Sequence, residues 1–144
     1  MHIVIVGAGK IGRALAQWLG SFGHEVALLD KDSSKCASVD EVLGSISIVG
    51  DATDSEAQVR AGVGRADVLV STTERDDVNL VVCQLAKELF NVKNTISVVN
   101  LSEHSTLFTR LGVDVIVNLT EMVLANIQQA LNCPHIPLFP SFPL

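Results

Sequence analysis

The sequence contains no tyrosine, only three cysteines, and no cluster of lysine or arginine residues. Without tyrosine, the chain cannot use a tyrosine side chain as a catalytic acid or base. The cysteines, at positions 36, 83 and 133, form no CxxC pair, which is typical of reduced cytosolic thiols rather than of disulfides or a zinc site. The net charge of −6 and the lack of a basic cluster argue against nucleic acid or anionic lipid as a partner.

Long hydrophobic runs are also absent. No stretch reaches the ~18 consecutive apolar residues of a transmembrane helix, and no basic segment with an apolar core and a cleavage site marks the N-terminus. The 144 residues suffice for one ordinary domain, and an apolar content of 48% suffices for a hydrophobic core. We therefore expect one soluble, cytoplasmic domain that does not itself insert into a membrane.

Short apolar runs rich in valine and isoleucine recur along the chain. They cover residues 2–6, 25–29, 45–49, 67–70, 95–99 and 113–117, and they contain no proline, as expected of strands buried on both faces. Stretches with helical spacing separate most of them, and only the segment before the third strand is weakly patterned. The pattern predicts an α/β fold of the Rossmann type, a doubly wound parallel six-stranded sheet in the order 3-2-1-4-5-6.

Two predicted helices carry the clearest apolar stripes. The first stripe consists of Ile11, Leu15, Leu19 and Phe22, and the second of Val78, Val81, Val82, Leu85 and Leu89. A shorter helix between residues 50 and 66 is expected to open with a capping box formed by Thr53 and Glu56. Two further helices are expected at about residues 103–111 and 120–132.

A glycine cluster, Gly7-Ala8-Gly9-Lys10-Ile11-Gly12, follows the first predicted strand and opens the first helix. In such a loop the first glycine allows the tight turn, the second lets the backbone approach a pyrophosphate, and the third lets helix and strand pack closely. The N-terminus of the helix adds free N–H groups and the positive end of its dipole. Lys10 and Arg13 could add charge near the anion or could simply be solvated.

Asp30 ends the second predicted strand, where a carboxylate can accept hydrogen bonds from both ribose hydroxyls of an adenosine. The same carboxylate would repel a 2′-phosphate, which favours NAD(H) over NADP(H). A GxGxxG motif alone is weak evidence, but its combination with the strand, the helix and the terminal acid predicts a nucleotide site. An acid at position 30 suits NAD(H) as well as ATP or ADP.

Polar clusters also end the third and fourth predicted strands. In Gly50-Asp51-Ala52-Thr53-Asp54, Asp51 is placed to meet the adenine edge, whereas Thr53 could be no more than the helix cap. In the second cluster, Thr72 and Thr73 can line the cleft near the central ribose and the phosphates, and Asp76 or Asp77 could merely cap the next helix.

Several segments together resemble a known family. "GAGKIG", "LLDKD", "VGDATD", "ADVLVSTTERDDVNL", "AKELFNVKNTISVVN" and "LFTRLGVDVIVN" resemble, in order and spacing, the nucleotide-binding domain of the Trk/Ktr potassium-uptake regulators, also called the RCK N-terminal or KTN domain. The likeness covers nearly all of residues 1–132. It implies a domain that binds NAD(H) or an adenine nucleotide and transmits its state to a membrane potassium-translocating subunit.

The resemblance also implies a role for each matching position. The phosphate loop would consist of Gly7, Gly9, Lys10, Ile11 and Gly12, and the ribose and adenosine contacts of Asp30 and Lys31. The adenine contacts would be Asp51, Ala52 and Thr53. The far side of the cleft would be formed by Thr72, Thr73, Glu74, Asp77 and Asn79. The sequence departs from the family at two places. Val98 stands where the family often has arginine, and Leu119-Thr120 stand where many members have Pro-Glu, with Glu121 one place later.

The sequence favours ligand sensing over catalysis. A dehydrogenase must hold a substrate against the nicotinamide and supply an acid or base, and this chain devotes almost its whole length to the nucleotide fold. Its histidines, at positions 2, 24, 104 and 135, stand in no catalytic motif. We expect a non-catalytic regulatory subunit; the alternative is an NAD-dependent oxidoreductase fragment that lacks its substrate domain.

The C-terminal part suggests a protein partner. The last predicted helix is apolar over more than one stripe, through Met122, Val123, Leu124, Ile127 and Leu131. It is therefore expected to pack across a homodimer, unless it is wholly buried within one domain. Prolines at 134, 137, 140 and 143 predict an extended polyproline II segment over residues 133–144, as a tail or linker stub.

Overall fold

A parallel sheet of six strands forms the centre of residues 1–131, the part of the chain that this computed structural model describes. The strands are β1 (His2–Val6), β2 (Glu25–Asp30), β3 (Ser47–Val49), β4 (Val68–Ser71), β5 (Asn94–Val99) and β6 (Val115–Asn118). Every neighbouring pair is parallel, and the order is β3-β2-β1-β4-β5-β6. The predicted Rossmann-type topology is confirmed.

Helices connect the strands across both faces of the sheet. Within the described residues they are α1 (Lys10–Ser21), α2 (Ser33–Leu43), α3 (Ser55–Arg60), α4 (Asp76–Phe90), α5 (Ser105–Arg110) and α6 (Leu119–Leu131), with 3-10 turns at Val63–Arg65 and Ser102–His104. Helix α2 occupies the weakly patterned segment before β3. It buries only Cys36 and Val39, and its N-terminus is secured by the Asp32 carboxylate, which accepts hydrogen bonds from the backbone N–H groups of Ser34 and Lys35.

The alternation of side chains along β1 divides the hydrophobic core into two layers. Val4 and Val6 point into the layer that α3, α4 and α5 cover. Ile3 and Ile5 point into the opposite layer, which α1 and α2 cover. All five residues of β1 are buried, which explains why the run of apolar residues is continuous rather than alternating.

The predicted apolar stripes of α1 and α4 coincide only in part with the faces that these helices bury. Leu15 and Leu19 of α1 pack against the core, but Phe22 is 66% exposed. In α4, Val82 is fully buried whereas Leu89 is 56% exposed. Small or polar residues occupy the centres of the buried faces, namely Gly12 and Ala16 in α1 and Asn79, Cys83 and Ala86 in α4. The stripe prediction is therefore wrong for Phe22 and Leu89, which lie at the ends of the stripes and away from the sheet.

Helix α6 contains no buried residue, so the alternative that it is wholly buried within its own domain is wrong. Its packing across a homodimer stays a prediction, as does the domain boundary at residue 132. The expected polyproline segment lies outside the described residues. Among residues 1–131, no helix is both long enough and apolar enough to span a membrane.

Helix α1 lies very close, at Gly12, to the backbone of Gly7, the residue that follows β1. A Cβ atom built on Gly12 would lie 1.8 Å from the carbonyl oxygen of Gly7 and 2.9 Å from its carbonyl carbon. Both are backbone atoms, so a side chain at position 12 would force the helix away from the strand. Gly20 lies in the same helix, but a Cβ atom there would meet no atom within 4 Å.

These distances predict opposite effects of alanine at the two positions. Gly12→Ala should lower the free energy of unfolding by about 2–3 kcal/mol because the backbone must shift. Gly20→Ala should raise it by up to about 1 kcal/mol because alanine favours the helix and nothing obstructs it. Urea unfolding followed by circular dichroism measures both, and equal effects of the two substitutions would contradict the packing described here.

Candidate nucleotide-binding site

The glycine loop lies between the carboxyl end of β1 and the start of α1. Gly7 has φ 110°, a conformation that other residues rarely adopt, and its N–H donates to the Leu29 carbonyl oxygen at 2.9 Å. A Cβ atom there would also lie 2.7 Å from Thr72 Oγ1. At Gly9, by contrast, a Cβ atom would meet nothing within 4 Å. The turn is therefore tight at Gly7 and open to a ligand at Gly9.

The N-terminus of α1 is suited to an anion. Gly9 is the capping residue, no side chain hydrogen-bonds to the first turn, and no acidic residue lies in that turn. Its N–H groups and the positive end of the helix dipole are the features that bind phosphate in such loops. Lys10 is exposed in the first turn. Arg13 has a different task, since its Nε donates to the carbonyl oxygen of Ala8 at 3.0 Å and so holds the loop.

Asp30 is fixed at the carboxyl end of β2, next to the glycine loop. Its Oδ2 accepts a hydrogen bond from the Ala8 N–H at 2.7 Å, and its Oδ1 accepts one from the Asp32 N–H at 2.8 Å. A carboxylate can accept about four hydrogen bonds, so each oxygen retains capacity for a ribose hydroxyl. Lys31 follows it and is exposed. The structure thus joins two separately predicted parts of the site by a direct hydrogen bond.

The loop after β3 is organised around Asp51. Its Oδ1 accepts hydrogen bonds from the Thr53 hydroxyl at 2.7 Å and from the Thr53 N–H at 2.9 Å. These bonds, the hydroxyl first, lower the pKa of Asp51 and keep it ionised. The predicted capping box is wrong: the cap of α3 is Asp54, whose carboxylate accepts from the Glu56 N–H at 3.1 Å. Thr53 is instead committed to Asp51.

The buried amide of Gln58, which the sequence analysis did not identify, also holds the loop after β3. Gln58 is fully buried in α3, and its Nε2 donates to the carbonyl oxygens of Ala52 at 2.8 Å and of Val82 at 3.2 Å. Ala52 is itself buried. The expected adenine contacts are therefore tied to α4 through one side chain.

The loop after β4 is held by a second buried amide. Asn79 of α4 is fully buried, and its Oδ1 accepts hydrogen bonds from the Ser71 hydroxyl at 2.7 Å and from the hydroxyl of Thr73 at 2.6 Å. Its Nδ2 donates to the Thr73 carbonyl oxygen at 3.0 Å and to that of Val98 at 3.1 Å. Asn79 therefore lies behind the cleft and sets the position of Thr73.

The remaining residues expected on the far side of the cleft are used in different ways. Thr72 is buried, and its hydroxyl donates to the Val6 carbonyl oxygen at 2.9 Å, which ties β4 to the end of β1. Asp77 is exposed and forms an ion pair with Arg75 at 2.6 Å. Glu74 is also exposed.

Asp76 performs a task that the sequence analysis did not foresee. Neither Asp76 nor Asp77 caps α4; the capping residue is Arg75, and its side chain makes no capping bond. Asp76 is buried and accepts the backbone N–H groups of Asn100 at 2.8 Å and Leu101 at 3.0 Å. Its Oδ2 also lies 2.8 Å from Nδ1 of His104. The carboxylate thereby holds the loop after β5.

The hydrogen bonds that Asp76 accepts lower its pKa by more than its burial raises it. Burial alone would raise the pKa of this carboxyl, but the N–H groups of Asn100 and Leu101, together with the His104 ring and the Asn100 side chain, hold it below its usual value. The anion is consequently the form that the fold stabilises. Within residues 1–131, no group of three or more acidic, histidine or cysteine side chains is arranged to hold a metal ion.

This fold and this edge of the sheet define the class of protein. A parallel sheet in the order 3-2-1-4-5-6, with a glycine loop after β1 and an acid at the end of β2, is the Rossmann-type arrangement. Residues 3–119 match the model of the TrkA-N domain. The chain therefore belongs to the TrkA-N domain family, and the resemblance drawn from the sequence is confirmed.

Individual relatives agree with this assignment. The chain is 33% identical over 118 residues to the Trk system potassium uptake protein TrkA homolog of Methanothermobacter thermautotrophicus. The alignment covers 82% of this chain and 54% of the relative. It is also similar to the GsuK channel bound to NAD, with 25% identity and a TM-score of 0.76 over 84% of this chain and 22% of that one. Its similarity to GsuK bound to ADP is 27% identity with a TM-score of 0.75, over 90% of this chain and 33% of that one. The chain thus spans about half or less of the length of these relatives.

The network around Asp76 predicts a loss of stability in Asp76→Asn. The amide would place an NH2 group against N–H donors, so the free energy of unfolding at pH 7 should fall by about 2–3 kcal/mol. Because the folded pKa of Asp76 is lowered, its contribution is complete above the unfolded pKa of about 4 and is lost as the pH falls through the folded pKa. The difference between wild type and variant should therefore shrink in acid.

Asp77→Asn is the matched control, since Asp77 is the next residue but is exposed. Urea unfolding at pH 7 should show almost no effect of this substitution. An Asp76→Asn protein as stable as the wild type at pH 7 would show that the carboxylate does not anchor the loop after β5.

Proposed function

We propose that this chain is the nucleotide-binding regulatory domain of a Trk/Ktr-type potassium transport system. It binds NAD(H), with ATP or ADP as the alternative ligands, and acts as a cytosolic ligand-sensing subunit without catalytic activity. The observation that carries the proposal is the hydrogen bond between Ala8 and Asp30, which joins an open phosphate loop to a ribose-binding acid. The GsuK structures, with NAD or ADP bound to a similar fold, support it.

The residues of the cleft fit an adenine nucleotide from one end to the other. The N-terminus of α1 at Gly9 would receive the phosphates, and Asp30 would receive the ribose hydroxyls. The loop of Asp51 and Ala52, at the carboxyl end of the neighbouring strand β3, would meet the adenine. The nucleotide would bind one state of the domain more tightly than another and so shift the equilibrium between the two states. It would not supply a reacting group.

The polar groups near the other end of the cleft favour sensing over chemistry. The hydroxyls of Thr72 and Thr73 are bonded to Val6 and Asn79, and the His104 ring is held by Asp76. The side chains of Thr72, Thr73 and Asp76 thus hold neighbouring parts of the protein in place. The cysteines among residues 1–131 are buried, and burial raises the pKa of Cys83 to about 12, so its thiol is a poor nucleophile.

Partners are expected at the exposed apolar faces of the helices. On α6, the side chains of Met122, Val123, Ile127 and Leu131 are all about half exposed or more. Such faces mark protein interfaces, and a second copy of this chain offers the same helix in return. We therefore propose a homodimer, or a higher homo-oligomer, through α6, attached to the inner face of the membrane by a potassium-translocating subunit.

Nucleotide binding is tested by calorimetric titration with NADH, NAD, ADP and ATP. Asp30→Ala should weaken NADH binding by about 10- to 100-fold, because hydrogen bonds from the ribose to a charged group are lost. Asp32→Ser is the matched control: it removes a carboxylate two residues away but keeps a side chain that can cap α2. Its affinity should stay within about twofold of the wild type.

The titrations also separate the candidate functions. Failure of all four nucleotides to bind at millimolar concentration would contradict the proposal. Turnover of NADH with a small carbonyl substrate would favour the oxidoreductase alternative.

The dimer is tested on α6 itself. Ile127 is 49% exposed, so Ile127→Glu should leave the fold intact and convert the dimer to a monomer in size-exclusion chromatography with light scattering. Gln129→Glu adds the same charge at an exposed polar position of the same helix and should remain dimeric. A monomeric wild type at high concentration, or a dimeric Ile127→Glu protein, would argue against α6 as the interface.

A further inference from the structure

A buried carboxylate holds the ring of His104 beside the loop after β5. Nδ1 of His104 lies 2.8 Å from Oδ2 of Asp76, and the Asp76 side chain is buried whereas that of His104 is 39% exposed. Because an ionised carboxylate can only accept hydrogen bonds, Nδ1 carries a proton and donates it to this bond. The bond fixes the orientation of the ring and leaves Nε2 as the outward nitrogen.

Asp76 is satisfied without His104. Its Oδ1 accepts hydrogen bonds from the N–H and from Nδ2 of Asn100, both at 2.8 Å, and its Oδ2 accepts one from the Leu101 N–H at 3.0 Å. These three donors already stabilise the buried anion. Within residues 1–131, no hydrogen-bonding group approaches Nε2 of His104. The bond to Asp76 therefore orients a ring whose second nitrogen is available to a ligand.

His104 lies on the half of the sheet that the proposed adenosine contacts do not use. Asp30 and Asp51 follow β2 and β3, in the half β3-β2-β1. The 3-10 turn that ends at His104 follows β5, in the half β4-β5-β6. Since all six strands are parallel, both halves present their carboxyl ends at the same edge. A dinucleotide binds across the two halves of such a sheet, with one nucleotide on each.

The carboxylate that holds His104 is connected to one wall of the proposed cleft. Nδ2 of Asn100 donates to Asp76 and also to the carbonyl oxygen of Thr73 at 3.1 Å. The hydroxyls of that wall already have partners, because Thr72 donates to the Val6 carbonyl oxygen and Thr73 to Asn79. Nε2 of His104 is therefore an uncommitted polar atom beside a wall whose own hydroxyls are committed.

We propose that His104 is a specificity residue that binds the nicotinamide nucleotide half of NAD(H) through Nε2. The inference rests on the proposed function, because it assumes that Asp30 and the glycine loop hold the adenosine half. With Nδ1 as the donor to Asp76, Nε2 of the neutral ring is an acceptor. The nicotinamide nucleotide offers it the hydroxyls of the second ribose and the N–H groups of the carboxamide. ADP and ATP lack both, so the contact favours NAD(H) over them.

One substitution separates this role from that of merely holding Asp76. In His104→Asn, the amide nitrogen replaces Nδ1 as the donor to Asp76, but no atom replaces Nε2. The variant should bind NADH about 3- to 10-fold more weakly than the wild type and should bind ADP equally well. His24→Asn is the matched control, since His24 directly precedes β2 at the opposite edge of the sheet. It should bind both nucleotides as the wild type does.

Calorimetric titrations with NADH and with ADP give the ratio of the two affinities in each protein. The ratio is the measurement that decides, because partial unfolding of a variant would lower both affinities together. A ratio unchanged in His104→Asn, or a wild type that binds ADP but not NADH, would overturn the assignment of His104. A wild type that binds none of NADH, NAD, ADP and ATP would instead contradict the proposed function.

Discussion

The edge of the sheet that carries the candidate site depends on one buried amide, that of Asn79. It has no access to solvent, and its oxygen and nitrogen bond to Ser71, Thr73 and Val98 at distances between 2.6 and 3.1 Å. A buried polar group without partners costs several times what a paired one contributes, so this set of bonds admits one arrangement. The loop after β4 is thereby fixed to both neighbouring elements.

Helix α4 extends the same constraint to the other loops. Asp76, one turn before Asn79, holds the loop after β5, and the carbonyl of Val82 holds Gln58, which in turn holds the loop after β3. The glycine loop and the end of β2 are tied to each other instead, through the hydrogen bond from the Ala8 N–H to Asp30. The loops after β3, β4 and β5 are therefore preorganised by one face of one helix.

The sequence sufficed to predict the strands and their order, because runs buried on both faces are continuous in apolar residues and the handedness of parallel crossovers leaves few topologies. It also predicted that Asp30, Asp51 and Thr73 lie at one edge of the sheet, since the carboxyl ends of parallel strands meet there, and their contact with a nucleotide stays a prediction. It did not reveal the tasks of Gln58 and Asp76. A polar residue in a helix ordinarily indicates the solvent face, and only the fold shows that these two point inward.

The exposed position of Trp18 and Phe22 has a functional consequence. Helix α1 buries Gly12 and Ala16 against the sheet, whereas Trp18 and Phe22 are exposed and contact each other edge to face with ring centroids 5.6 Å apart. The same helix presents its N-terminus to the expected phosphates. A subunit that covered this outer face would therefore contact the same helix whose N-terminus faces the expected phosphates, so assembly and ligand binding would act on one helix.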